Sequence, residues 1–395
     1  MQSEKMRKFS APGRTELAGN HTDHNNGKVL AAAVQLENTA SVQERDDNIV
    51  FFRSAGFPDV QIQLTDSSGK YDLKPKPEET GKTEALIRGI AAEYNRRGYK
   101  IGGFSANAVS SVLPGSGLSS SAALEVLIGR IFDSLFSDGK RSFLEIAQIG
   151  QIAENVYFGK PCGLMDQIAC ASGGAVAIDF KDTANPVVEQ VNLDLSVFGF
   201  VLCVVNTGGS HADLTADYAS IPLEMKKVAA HFGKSVLREL DKETVLTNAA
   251  EIRKTLGDRA LLRSIHFFDE NKRVDFLLDT IKQKAFDLYL DIVNDSGMSS
   301  WELLQNVYSP NNPTNQGIST ALAITRDFLR KQKLHGAYSA KAACRVHGGG
   351  FAGTIQSYIP ADVIKPYRAC MEAIFGVGSV TELQIRPQGV IELIS

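Results

Sequence analysis

The sequence predicts an α+β protein built as two domains, and three observations carry that expectation. Its 395 residues exceed the roughly 100 to 200 of a single typical domain. Predicted strands are grouped with predicted helices without regular β-α alternation, which argues against a doubly wound parallel sheet. The composition, 43% hydrophobic and 22% charged with 34 Gly and 13 Pro, is that of an ordinary globular chain and excludes a collagen, a disordered tail and a disulfide mini-protein.

The elements follow in order. Residues 29–62 mix β-branched with charged side chains and read as strands of an antiparallel sheet. Residues 82–97 place Leu86, Ile87, Ile90, Ala91 and Tyr94 on one helical face. FSANAVSSVL (104–113) reads as a strand, and 120–135, 143–158, 219–232, 236–240, 275–293 and 316–334 as helices. Between them AVAIDF (175–180) and FGFVLCVVNT (198–207) read as buried strands. The polar stretch KDTANPVVEQ places the domain boundary near residue 195, giving units of 1–195 and 196–395, and NVYSPNNPTNQG reads as a surface loop.

Forty-two Lys plus Arg against 45 Asp plus Glu leave a formal net charge of -3. That offers no basic field for nucleic acid or an anionic membrane, so a small molecule held in an inter-domain cleft is the expected partner. The first residues lack the apolar core of a secretory signal, and no stretch reaches the roughly 18 apolar residues of a spanning helix; a cytoplasmic location is expected. The five cysteines contain no C-x-x-C pair, so reduced, mostly buried thiols are expected. His21 and His24 lack nearby partners for a transition-metal site.

Three segments carry possible chemistry. PGSGLSSSAA (114–123), between a predicted strand and helix, can converge backbone N–H groups on an anion at the positive end of the helix. It lacks the lysine of a Walker loop and the spacing of the dinucleotide fingerprint; a structural turn with a serine cap is the competing reading. A second patch, Gly348 to Gly353, sets three glycines in an apolar stretch, where each costs conformational entropy unless backbone must approach a ligand or another loop. The third constellation is polar: Arg14, Asn20, His21, Thr22, Asp23 and His24, then Asp166 in PCGLMDQ. Such side chains can array donors and acceptors for a sugar, and a guanidinium beside Asp166 would hold it ionised; a capped loop with surface carboxylates fits the spacing equally.

Taken together, APGRTELAGNHTDHNNG, LPGSGLSSSAALEV, AENVYFGKPCGLMDQ and HGGGFAG, in this order, resemble the GHMP small-molecule kinase superfamily and its galactokinase branch, whose signature is usually written GRVNLIGEHTDYNGG. The resemblance spans nearly the whole chain. It implies a two-domain GHMP kinase fold, with an N-terminal ribosomal-protein-S5-like domain, a C-terminal ferredoxin-like domain, and ATP and sugar in the cleft between them. Pro114, Gly115, Ser116, Gly117, Leu118, Ser119, Ser120, Ser121, Ala122, Gly349 and Gly350 would then hold ATP, and Ser120 and Glu154 its Mg2+. Asn20, His21, Asp23, Gly163, Asp166 and Tyr218 match sugar-binding positions, and Arg14 and Asp166 the catalytic pair. The implied reaction moves the ATP γ-phosphate to the anomeric C1 hydroxyl of galactose, and the implied molecule is a monomer without nucleic-acid or membrane partners.

Several positions depart from the family pattern. Asn20 stands where a glutamate is usual, His24 where tyrosine is, His347 where threonine is and Ala352 where glycine is, and Tyr218 is not followed by arginine. Glutamate at position 20 would repel a C6 carboxylate and asparagine would not. Galacturonate and L-arabinose therefore stand beside galactose as candidate substrates, and a non-catalytic sugar sensor stands beside the enzyme.

Overall fold

The computed structural model describes residues 6–112, 117–209, 214–333 and 341–393. Its first sheet contains β1 (Arg7–Ala18), β2 (Lys28–Arg45), β3 (Ile49–Ser54), β4 (Val60–Gln63), β5 (Gly103–Ser110), β6 (Ala175–Asp179) and β7 (Val187–Val191). The order is β1-β2-β5-β3-β4, with β6 and then β7 extending from the other end of β2. Four helices cover one face: α1 (Thr83–Arg96), α2 (Ser120–Phe136), α3 (Phe143–Ile152) and α4 (Met165–Ser172). Ile87, Val126, Phe132, Ile146 and Ile168 pack with Phe9, Val42 and Phe104 into one core. Buried aliphatic and aromatic side chains of this kind each contribute about 1.5–3 kcal/mol.

The chain passes to a second sheet after β7. Strand β8 (Phe200–Asn206) leads into a helical block of α5 (Thr215–His231), α6 (Lys242–Thr247), α7 (Ala249–Leu256), α8 (Asp258–Gln283), α9 (Phe286–Ser299) and α10 (Gly317–Lys331). Strands β9 (Ala343–Val346) and β10 (Thr354–Pro360), helix α11 (Ile364–Phe375) and strand β11 (Val380–Leu383) follow. The antiparallel order β11-β8-β10-β9, read against the chain order strand, helices, two strands, helix, strand, is the split β-α-β arrangement. Finally β12 (Ile391–Leu393) returns to the first sheet and pairs with β1.

Several elements differ from expectation. Strand β1 was not anticipated, yet it is buried from Phe9 onward and pairs with β2 along its length. Its register shifts between Pro12 and Arg14; such an irregularity re-aims a side chain, and here it sets Arg14 against Leu118, whose carbonyl accepts from Arg14 N at 3.0 Å. The predicted helix 143–158 is α-helical only to Ile152 and continues as a π-helical turn, Ala153–Phe158. The predicted helix 275–293 is parts of α8 and α9, separated where Lys284 adopts φ 56°. Within NVYSPNNPTNQG, Asn306 and Ser309 are buried, so the loop enters the interior at its start. Among the described residues no helix is long and apolar enough to cross a membrane, and all five cysteines are free thiols.

Candidate active site

A cavity of about 240 Å³ is walled by residues 117–121 on one side and His347 to Gly350, Ala352 and Thr354 on the other, with Arg14, Lys160 and Asp166 between them. Both glycine-rich segments thus face one space. Pro114, Gly115 and Ser116 lie outside the described residues; Gly117, Leu118, Ser119, Ser120 and Ser121 line the cavity. Ser119, at the N-cap of α2, makes no side-chain capping bond, and its hydroxyl donates to Asp166 Oδ2 instead. The first helical bond runs from Ala123 N to Ser119 O at 3.1 Å. Among the described residues the amides of Ser120, Ser121 and Ala122 have no helical acceptor, and they stand at the positive end of a 17-residue helix. A turn capped by the Ser119 side chain, the competing reading, is not formed.

Arg14 and Asp166 form a two-pronged ion pair, Nε to Oδ1 and Nη2 to Oδ2, both at 2.7 Å. Nη1 of Arg14 donates to Gly117 O at 2.6 Å, which ties the pair to the serine loop. Arg14 is buried, whereas Asp166 keeps 32% of its side-chain surface exposed, towards the cavity it lines. Burial alone would raise the Asp166 pKa, but the Arg14 charge and the hydrogen bonds from Arg14 and Ser119 outweigh it and hold the carboxyl below its usual range. The reading of this region as a loop with surface carboxylates does not describe such a pair.

Behind the serine loop the π-helical turn delivers Glu154, which is almost wholly buried. Its Oε1 accepts from Ser121 Oγ at 3.2 Å and from Lys160 Nζ at 3.1 Å, and its Oε2 from Gln167 Nε2 at 3.1 Å. Ser121, rather than Ser120, holds the direct bond to this carboxylate. Gln167 also donates to Glu125 at 2.9 Å, a buried carboxyl whose pKa burial and the neighbouring Glu154 push well up.

Of the residues matched to the sugar, His21 and Tyr218 bond the Gly348–Gly350 segment. His21 Nε2 lies 2.9 Å from Gly349 O, and Tyr218 donates from its hydroxyl to Gly350 O at 3.0 Å. Asp23 and Gly163 meet so closely that a Cβ on Gly163 would stand 2.0 Å from Asp23 Oδ2. Gly350 has φ +78°, and a Cβ there would be 2.1 Å from Asn306 O, so glycine is required for this approach. Phe351 anchors the segment among the α5–α8 side chains. Ala352 does not take a positive φ, which is why alanine fits where the family pattern has glycine.

Asn20, which its motif matches to a sugar contact, lies against the Gly348 turn. It is only 1% exposed. Its Nδ2 donates to Glu16 Oε1 at 3.0 Å and to Gly348 O at 2.7 Å, and its Oδ1 accepts from Asn306 Nδ2 at 2.9 Å. Protein groups occupy the amide on both sides. His24 is half-exposed beside His21, with ring centroids 6.4 Å apart, and no group of three or more metal-ligating side chains occurs among the described residues.

Sequence reasoning gave no role to Lys160 or His347, which both line the cavity. Lys160 follows Gly159 inside a segment already singled out, where a charge beside a carboxylate was the available signal. His347 lies 2.9 Å from Thr15 Oγ1 through Nε2 and 3.0 Å from Thr354 Oγ1 through Nδ1. Burial, then the charges of Arg14 and Arg345, lower its pKa to about 3, so the ring is neutral. The contact to Thr15 spans 332 positions, and sequence spacing does not reveal it.

Comparison with known proteins agrees with this geometry. Residues 2–44 match the model of the galactokinase galactose-binding signature, and residues 85–174 that of the GHMP kinase N-terminal domain. A galactokinase of Streptomyces coelicolor is 34% identical over 275 residues, covering 68% of this chain and 67% of the relative. One from Thermotoga petrophila is 30% identical over 349 residues, 88% of each chain. The crystal structure of Lactococcus lactis galactokinase complexed with galactose superposes with TM-score 0.80 at 25% identity, over 99% of this chain and 96% of that one. A Methanococcus jannaschii mevalonate kinase shares the fold at TM-score 0.62 and 13% identity, over 97% of this chain and 99% of that one. The chain belongs to the galactokinase family of the GHMP kinases.

Proposed function

We propose that this protein transfers the γ-phosphate of ATP to the C1 hydroxyl of galactose, giving galactose 1-phosphate and ADP. The observation that carries the reading is the Arg14–Asp166 pair on the wall of a cavity shared by two glycine-rich segments, in a chain whose relatives are named galactokinases. The nucleotide phosphates would lie against the amides of Ser120, Ser121 and Ala122 at the start of α2, and Gly349 and Gly350 would close the opposite side. His21, Asp23, Gly163 and Tyr218 would surround the sugar, with its C1 oxygen turned to Asp166.

In phosphoryl transfer the protein contributes mainly alignment and charge neutralisation. The sugar oxygen forms its bond to the γ-phosphorus, the bond from that phosphorus to the β,γ-bridging oxygen breaks, and ADP leaves with the electron pair. The hydroxyl proton passes to Asp166 and then to solvent. A carboxylate held below its usual pKa is a weak base, so it orients the hydroxyl first and takes the proton late, once the attacking oxygen has become acidic. Arg14 fixes the carboxylate and adds positive potential beside the transferring group.

Mg2+ fits the donors present. The Glu154 carboxylate bonded by the Ser121 hydroxyl, with the Ser120 hydroxyl on the cavity wall, supplies few, hard oxygen ligands, and Mg2+ takes one or two such ligands together with phosphate oxygens and water. Bound there it would supply charge neutralisation to the phosphates. The test of the substrate is an ADP-release assay with MgATP over galactose, galacturonate, N-acetylgalactosamine, L-arabinose, fucose and glucose. Galactose is expected to give the highest kcat/KM; a preference of about tenfold or more for galacturonate would replace it as the substrate.

A further inference from the structure

Lys160 has no role in the reading above, yet it projects into the reaction cavity. The chain reverses at Gly159, φ 83°, and Lys160 N donates to Glu154 O at 3.1 Å, which fixes the backbone there. Pro161 follows and restricts Lys160 to extended backbone. The root of the side chain is therefore set by two neighbours, while 61% of the side chain is exposed. Its Nζ donates to Glu154 Oε1 at 3.1 Å, one of the three bonds an ammonium can make.

The charges around the cavity give this lysine a task. Among the described residues the cationic side chains on the wall are Arg14 and Lys160, and the nearby carboxylates are Asp166 and Glu154. Before any ligand arrives the site is already neutral. Three of the five N–H groups of Arg14 are held by Asp166 and Gly117 O, so its guanidinium cannot swing towards an arriving phosphate without releasing the carboxylate. Lys160 can, because Glu154 retains bonds from Ser121 and Gln167 when the ammonium leaves. Burial would lower the Lys160 pKa, but Glu154 more than offsets that, and the group stays charged.

We propose that Lys160 is a ligand of the terminal phosphate of the nucleoside triphosphate, released from Glu154 as that phosphate enters. The proposal rests on the kinase reading and deepens it. If Lys160 only pinned its segment to Glu154, its loss would act on every nucleotide alike; a ligand of the terminal phosphate acts on the triphosphate and spares the diphosphate.

The test is calorimetric binding of ADP and of a non-hydrolysable ATP analogue, both with Mg2+, to the wild type, Lys160→Met and Lys160→Arg. Lys160→Met is expected to weaken the analogue by about tenfold or more, the scale of a hydrogen bond to a charged group, and ADP by less than about twofold. Lys160→Arg is expected to restore most of the analogue affinity, and kcat of Lys160→Met to fall while the galactose KM stays near its wild-type value. ADP binding serves as the check that the variant is folded. Equal loss for both nucleotides, or no loss for either, overturns the proposal and leaves the kinase reading standing. A wild-type protein that binds neither nucleotide overturns that reading and the proposal with it.

Discussion

The neutral, buried His347 makes a pH dependence calculable. Its ring is 2% exposed between Thr15 and Thr354, with a folded-state pKa of about 3 against about 6.5 when unfolded. Between those values the unfolded chain binds a proton that the folded protein refuses, so stability is lost as pH falls through about 6.5. Each pH unit in that window costs about 1.4 kcal/mol, and from pH 7 to pH 5 the loss from this one ring is about 2 kcal/mol. Other groups act in the same range. His21, also lowered to about 3 by burial, adds to the loss, while Glu16 and Glu125, whose pKa values burial raises, oppose it. The effect is therefore read as a difference between proteins. His347→Gln keeps an amide that can bond both threonines and cannot titrate. Urea unfolding at pH 7 and pH 5 should show the variant losing about 2 kcal/mol less than the wild type over that interval. An identical loss in both proteins would refute the assignment of a neutral, buried ring.

Two further expectations concern the site. Asp166→Asn and Arg14→Ala should each lower kcat by at least about 100-fold, because each removes half of a two-pronged pair against the transferring group; ADP release under saturating galactose measures this, and near-normal turnover in either would discard the pair. Asn20→Glu would replace a donor by an acceptor facing Glu16 Oε1 and Gly348 O, so thermal and urea unfolding should show a loss of about 2–4 kcal/mol, in place of a clean change of sugar preference. A stably folded Asn20→Glu with altered selectivity at C6 would show that residue 20 faces the sugar.

The legible parts of the fold were those with a local signal. Helix α1 follows the spacing of Leu86, Ile87, Ile90 and Tyr94, and the buried strands β6 and β8 follow short apolar runs. Strand β1 was hidden because its motif residues, with Pro12, Gly13 and two charged side chains, resemble a loop until β2 supplies a partner. Helices α6 and α7 are short and mostly exposed, each with one buried side chain, Val245 and Ile252, so neither shows an apolar stripe in the sequence. At the site, motif order brought Arg14 and Asp166 together across 152 positions. What sequence order does not hold is which side chain ends against which backbone. Asn20 was matched to a sugar contact by its motif, and its bonds to Glu16, Gly348 O and Asn306 could not be read there. Lys160 and His347 acquire their places only from the meeting of two loops and two sheets.

In the proposed reaction the phosphate arrives on the anomeric oxygen at the Arg14–Asp166 pair. The most direct measurement is phosphorus–proton NMR of the product formed from galactose and MgATP by the wild type and by Asp166→Asn. A phosphate resonance coupled to the anomeric proton is expected from the wild type, and almost none from Asp166→Asn in the same time. A phosphate coupled to any other ring position, or equal product from both proteins, would contradict it.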